Sequence, residues 1–349
     1  MSMSSPAGNN TGAAGTIPET MTAVTARRYG DTSVLAIETV PTPSVRPGRL
    51  LVRVRGSSAN ALDWRILSGT PRFVRLIAGL LKPKRLGPGA DVAGHVVAIG
   101  TGVTGFNIGD AVFGETGGGG FAEYVAVSAK NFVVLPEGVD LVAAGATAVA
   151  GLTALQGLRT NAAVKPGDRV LINGAAGGVG TFAVQLARVL GATEITAVCS
   201  ARNAEQARSL GATRVVDYES EDYIAVGGEY DVVLDMMGNR TVAELLSIMA
   251  PGARFVGVSG PMTNPWVGPA IHLLRLGRAL KRAGVTFFQF TANPTPDDLN
   301  YLAELLASGA IAPVIERVEG LEGARGAIDQ IASGHGAGKV AIIPGGVDS

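Results

Sequence analysis

The stretch DRVLINGAAGGVGTFAVQLARVL, residues 168–190, decides the fold. Val170, Leu171 and Ile172 form a short branched apolar run after Lys165-Pro166-Gly167, the pattern of a central parallel strand. Val179, Phe182, Ala183, Leu186, Ala187 and Leu190 then recur at helical spacing, and Gly191 stands where a helix end commonly needs positive φ. Between strand and helix lies a glycine turn, residues 174–180. Residues without bulky side chains let the backbone approach a diphosphate, and the first free N–H groups of the helix point at its charge. Ala176, Gly177, Gly178, Val179 and Gly180 are therefore the candidate dinucleotide contacts. Against G-x-G-x-x-G the register falls on Ala175, Gly177 and Gly180, so the motif draws its force from context.

That context is an alternation of strands and helices. Strands at 194–199, 214–217, 232–236, 254–258 and 285–290, with helices at 204–210 and 242–249, predict a doubly wound parallel sheet over 148–290. Residues 21–134 carry short strand-like runs broken by Gly and Pro, a β-rich domain. Within it, 65–85 predicts one short helix whose Phe73, Leu76, Ile77 and Leu80 share a face, with packing over a cleft favoured over membrane contact. The run 143–157 reads as a helix entering the second domain. After 293 the pattern changes to helix 299–307, a strand near 313–317, a helix near 322–331 and a strand 340–343, a tail that returns to the first domain. On the helix before the sixth strand, Arg275, Arg278 and Arg282 share one face. A solvated edge, a subunit contact and an approach to membrane-dissolved substrates all stay open for it.

Composition narrows the class. With 349 residues the chain suits two cores. Its 29 basic and 29 acidic residues balance, which argues against nucleic acid as a partner. No apolar run reaches the roughly 18 residues that span a bilayer. Residues 1–20 are small and polar, without the features of a signal peptide, and read as a disordered tail. The single cysteine, Cys199, excludes an intrachain disulfide, ends an apolar strand like an ordinary buried residue, and suggests the reducing cytoplasm.

Several motifs occur in order: NALDWRILSG at 60–69, GADVAGHVVAIGTGVTGFNIGDAVFG at 89–114, GGFAEYV at 119–125, LTALQGL at 152–158, GAAGGVGTFAVQLAR at 174–188 and GHGAGKVAI at 334–342. Together they resemble the medium-chain dehydrogenase/reductase superfamily, within it the zinc-independent quinone oxidoreductase-like branch, near the reticulon-interacting NADPH oxidoreductases. The likeness covers residues 22–345. It implies an α/β architecture of a GroES-like barrel, residues 21–147 and 291–349, beside a Rossmann NADP-binding domain, residues 148–290, with the cofactor in the cleft between them. By the same resemblance Thr153, Met237, Ser259 and the 334–338 loop with His335 line the nicotinamide end. The loop departs from the family's His-Ala-Arg-Gly-Lys and lacks its arginine.

The resemblance also implies where a catalytic zinc sits in alcohol dehydrogenases of the superfamily, and there the donors are missing. Asn60 replaces a cysteine and Gly89-Ala90-Asp91 replaces Gly-His-Glu, while His95, His272 and His335 are scattered. At the adenosine end, the place where NAD sites carry Asp or Glu holds Cys199-Ser200-Ala201-Arg202. A hydroxyl and a guanidinium suit a 2′-phosphate, and Tyr218 matches a family tyrosine lining it, so NADPH is the expected cofactor. Asn60 is expected either to hold a substrate oxyanion or to be a structural turn residue, and Asp63 to pair with backbone or an Arg. No tyrosine follows Asp63, which leaves the proton source open. Trp64, Phe121 and the 65–85 segment are expected to shape the substrate pocket. The leading reading is metal-free reduction of small quinones or α,β-unsaturated carbonyls by a possible homodimer paired through the sixth strand. A cofactor-binding regulatory or assembly protein and a zinc alcohol dehydrogenase are the alternatives.

Overall fold

The computed structural model describes residues 16–84, 87–260, 266, 268, 270–334 and 336–346. Short runs, most of them rich in β-branched residues, pair as strands in the N-terminal part. These are β1 (Thr20–Ala26), β2 (Leu35–Pro41), β3 (Arg49–Ser58), β4 (Asp91–Ile99), β5 (Ala111–Glu115), β6 (Tyr124–Ser128) and β7 (Phe132–Val134). Two short helices, α1 (Ala61–Ser68) and α2 (Val74–Ala78), lie between β3 and β4. Next come α3 (Leu141–Ala144), α4 (Ala148–Leu155), β8 (Arg169–Asn173), α5 (Gly178–Val189), β9 (Glu194–Cys199), α6 (Ala204–Leu210) and β10 (Arg214–Asp217). The alternation continues through β11 (Tyr230–Asp235), α7 (Val242–Ser247), β12 (Met249–Gly257), α8 (Ala270–Arg282) and β13 (Thr286–Gln289). The chain ends with α9 (Pro296–Ala307), β14 (Ile315–Glu319), α10 (Ala324–Ser333) and β15 (Lys339–Ile342).

Pairing sorts these strands into two bodies. Six run parallel in the order β10-β9-β8-β11-β12-β13, the doubly wound sheet. Its central strands are apolar on both faces because helices cover both. Val170 and Ile172 of β8 pack with Leu155, Phe182, Leu186 and Leu302. Leu171, pointing the other way, packs with Val233, Phe255 and Leu280. The other body orders β14-β15-β3-β4-β5-β7, with β6 on β3, so the C-terminal strands join the N-terminal sheet. The architecture is α/β with a GroES-like β-rich body beside the Rossmann sheet.

Three expectations change, and one element goes beyond them. The tail predicted over 1–20 falls outside the described residues up to residue 15, and Thr20 already opens β1. The hairpin of β1 and β2 was not legible, because its strands mix polar and apolar residues without a clean period. The helix predicted over 143–157 breaks at Gly145. There the chain crosses β3 so closely that a Cβ on Gly145 would lie 2.3 Å from the carbonyl carbon of Gly56. The apolar face predicted around 73–80 does not pack over a cleft: α2 spans only five residues, and Phe73, Leu76 and Leu80 are exposed.

One local consequence of the β4–β5 register is electrostatic. It places Glu115 opposite Asp91, so both side chains project from the same face of the sheet. Asp91 is fully buried, and Asp63 lies nearby with its carboxylate taking N–H groups of Asn60, Gly89 and Ala90 at 2.9, 2.8 and 3.1 Å. Burial still pushes Asp63 up to about 6. Burial first, and then the charges of Asp91 and Asp63, push Glu115 up to about 7. Glu115 lines a polar cavity of about 330 Å³ with Thr116, Ser128, Asn131 and Asn293.

A carboxyl whose folded pKa is raised stabilises the fold fully below its unfolded value and loses that contribution as pH rises through the folded value. For Glu115 the window runs from 4.5 to about 7. Glu115→Gln is therefore expected to match the parent in denaturant unfolding at pH 4.5 and to exceed it by about 1–3 kcal/mol at pH 8. Equal stability at both pH values would contradict the assignment.

Candidate active site

The glycine turn lies at the carboxyl end of β8, flanked by β9 on one side and β11 on the other, where the winding of the sheet reverses. Ligands of open parallel sheets bind at this switch point. A Cβ on Gly180 would fall 2.2 Å from the carbonyl oxygen of Gly174, so only glycine lets α5 rest on its own turn. The N–H groups of Gly178, Val179 and Gly180 open the helix and have no intrahelical carbonyl to bond. From the other body the C-terminal loop closes on this turn. The Gly338 N–H donates to the Ala176 carbonyl at 2.8 Å, and Gly177 and Gly338 form a parallel bridge. Free amides at the positive end of a twelve-residue helix fit the pyrophosphate of a dinucleotide.

The adenosine end follows from the neighbouring strands. Cys199 and Asp217 are register partners at the ends of β9 and β10, and the Tyr218 N–H donates to the Cys199 carbonyl. This gathers Arg202 and Tyr218, both exposed, on one rim. Ser200 differs from expectation: it is buried, and its hydroxyl oxygen accepts the Asn203 amide at 3.1 Å. Sequence reasoning missed Asp217. Its carboxylate holds the turn by accepting from the Ala201 and Glu219 N–H groups and the Ser220 hydroxyl, and these bonds keep it below the usual carboxylate range.

A side-chain bond also crosses between the bodies at α1. Arg65 on α1 donates through Nη2 to the Ser259 hydroxyl, just past β12, at 2.9 Å. No carboxylate pairs with Arg65 among the described residues, and burial pulls its pKa down. A guanidinium stays charged in such a setting. The cleft therefore holds a cation whose protein partner is a hydroxyl. Met237, half exposed, follows β11, and its N–H is held by the buried Asp235 carboxylate. Asp235 also takes the Asn173 amide at 2.9 Å, tying the ends of β8 and β11 together. Thr153 on α4 turns its hydroxyl onto the Val149 carbonyl at 2.7 Å. Trp64 is partly buried against the core that contains Phe121. Phe121 itself is fully buried, which removes it from the substrate-lining set. His335 lies outside the described residues.

Of the two expectations for Asn60, the oxyanion role gives way to the structural one. Its Nδ2 donates to the Ser58 carbonyl at 3.1 Å and to Asp91 Oδ2 at 2.8 Å, while its Oδ1 accepts from the Lys339 ammonium. Both amide hydrogens are spent inside the protein, so none remains to hold a substrate oxyanion. Lys339 reaches Asp91 at 3.1 Å, and both side chains are almost wholly buried. Where the resemblance places zinc ligands, the chain holds a buried ammonium–carboxylate–amide cluster beside the methyl group of Ala90. Asp63, expected to pair with backbone or an Arg, takes backbone donors among the described residues.

Among the described residues no helix is long and apolar enough to cross a membrane. Residues 46–137 match the alcohol dehydrogenase GroES-like domain family, and residues 210–342 the zinc-binding dehydrogenase family. The chain is 32% identical over 319 residues to a chloroplast envelope quinone oxidoreductase homolog of Arabidopsis thaliana, covering 87% of this chain and 92% of that one. It is 29% identical to a chloroplastic NADPH-dependent alkenal/one oxidoreductase of the same plant, with 98% and 84% covered. Its fold superposes on the quinone oxidoreductase from Coxiella burnetii with a TM-score of 0.82 at 30% identity, over 93% of this chain and 99% of the other. With two-body architecture, glycine turn and these relatives in agreement, the chain belongs to the medium-chain dehydrogenase/reductase superfamily on its quinone oxidoreductase-like side, and it is an oxidoreductase with a nicotinamide-dinucleotide site.

Proposed function

We propose that the chain reduces quinones and α,β-unsaturated carbonyls with NADPH and without a metal. The observation that carries this reading is Arg65, a charged guanidinium in the cleft whose side-chain partner among the described residues is the Ser259 hydroxyl. When bound, NADPH supplies a hydride. Hydride arriving at the far carbon of a conjugated acceptor leaves negative charge on the carbonyl oxygen. A guanidinium N–H held nearby stabilises that charge as it develops, without having to move. Arg65 is too weak an acid to give up its proton, so water supplies the proton that completes the product. The relatives named above support the same chemistry. A saturated ketone lacks the conjugation that spreads the charge, and the Asn60–Asp91–Lys339 cluster offers no open ligand set to polarise its carbonyl, so such ketones are expected to be poor substrates.

NADPH is preferred over NADH in this reading because Arg202 and Tyr218 flank the rim where a 2′-phosphate would lie. The free edge of β13, with Phe287 and Phe288 only half-buried, supports pairing of two copies through that strand. Sedimentation at micromolar concentration is expected to show a dimer, and a monomer alone would refute the pairing.

Two substitutions test the chemistry and the cofactor. Arg65→Met is expected to lower kcat for an enone by roughly 10²–10³ with a smaller change in KM, since the stabilised charge belongs to the transition state. An unchanged kcat would reject the role of Arg65. Arg202→Ala is expected to weaken NADPH by about 1.5–3 kcal/mol in a binding titration and to leave NADH nearly unchanged. Equal loss for both cofactors would reject the 2′-phosphate assignment.

A further inference from the structure

Charge in this chain balances overall but not locally. Residues 64–90 and 245–296 contain no Asp or Glu, yet they carry six and five Lys or Arg respectively. The two stretches meet in space. The Phe73 N–H donates to the Trp266 carbonyl at 3.3 Å, and the Arg72 guanidinium lies 4.3 Å over the Trp266 ring. Both stretches also pass the cleft, one at Trp64 and Arg65 on α1, the other at the Arg65 partner Ser259.

The outward side of this region is apolar as well as cationic. Leu76 is 72% exposed, Leu80 68%, Leu81 89% and Trp266 61%. On α8, Leu273, Leu276, Gly277 and Leu280 face the core, while Ile271 and Leu274 are exposed and lead along the same outer face to Arg275, Arg278, Lys281 and Arg282. Lys82, Lys84 and these four cations make no ion pair among the described residues. A solvated surface would intersperse both signs of charge, and a buried interface would not leave so many cations unopposed. Large apolar side chains ringed by cations match the two-part chemistry of a bilayer surface, acyl boundary within and anionic headgroups above.

We infer that the face formed by residues 72–84, Trp266 and residues 270–282 docks on the surface of a lipid bilayer containing anionic lipids. Leu76, Leu80, Leu81 and Trp266 enter the headgroup boundary, and the Lys and Arg side chains of α8 and the 82–84 turn bind the headgroups. The face borders the cleft mouth, so docking brings that mouth to the phase in which apolar acceptors dissolve. The surface is defined by exposure and charge alone and does not depend on which substrate is reduced.

The test is co-sedimentation of the full chain with vesicles of phosphatidylcholine, with and without phosphatidylglycerol, at low and raised salt. Binding is expected only with phosphatidylglycerol present and is expected to weaken with salt. Arg278→Glu with Arg282→Glu should weaken it by at least about tenfold, given the contribution of each cation near an anionic surface. Leu76→Ser with Leu81→Ser should weaken it at unchanged charge. Both pairs lie outside the site, and their turnover of a water-soluble enone should equal the parent's, which separates loss of docking from loss of folding or of catalysis. The inference is overturned if the parent does not sediment with phosphatidylglycerol vesicles, or if both variant pairs bind them like the parent. It is also overturned if Leu76→Ser with Leu81→Ser dissociates a dimer while vesicle binding persists, since the face would then belong to a second copy.

Discussion

The buried ammonium of Lys339 is the constraint on which the site depends. It sits on β15, near the end of the chain, yet it terminates on Asn60 and Asp91 of the N-terminal body. On its way the side chain passes the first turn of α5 so closely that a Cβ on Gly178 would come within 2.9 Å of its Cδ. One aliphatic stem thus runs between the pyrophosphate turn and the β-rich body. A charge taken out of water costs several kcal/mol unless it is paired and hydrogen-bonded. Here a carboxylate and an amide oxygen meet that demand, and the Asp91 carboxylate is held in turn by the Ser58 hydroxyl and the Val149 N–H. Register of the C-terminal strand, position of the glycine turn and floor of the cleft are therefore fixed together.

This arrangement divides the work between two cations. Lys339 is paired with a carboxylate and bonded to an amide oxygen, and it organises the structure. Among the described residues Arg65 bonds a hydroxyl and no carboxylate, which leaves its charge available to whatever enters between the bodies. The difference lies in geometry rather than residue type, for both side chains are cationic and both are largely enclosed. It also explains why Asn60, which faces Lys339, does not act on substrate.

Local pattern carried much of the fold. The apolar run Val170 to Ile172, the glycine turn and the helical spacing after it fixed the Rossmann unit, because each of these signals lies within a few residues of the next. What stayed hidden was set by distance along the chain. Arg65 and Ser259 are 194 positions apart, and Asp91 and Lys339 are 248. No periodicity reports such pairings. Phe121, expected in the substrate pocket, fills a core completed by α10 and β15, which no local reading brings to that place. Ser200 stood at the expected position in the sequence, and only the Asn203 contact shows its hydroxyl turned inward. The 73–80 stretch had the composition of a helix face, yet α2 is too short to bury it.

The central claim is that hydride goes to the conjugated carbon of an acceptor whose oxygen is stabilised by a guanidinium. Its most direct measurement is the fate of label when NADPH deuterated at the transferable position reduces an enone. The account predicts deuterium on the β-carbon of a saturated ketone, and in a second run with unlabelled NADPH in D₂O, solvent deuterium on the α-carbon. Deuterium from the cofactor on the carbonyl carbon of an allylic alcohol would contradict it.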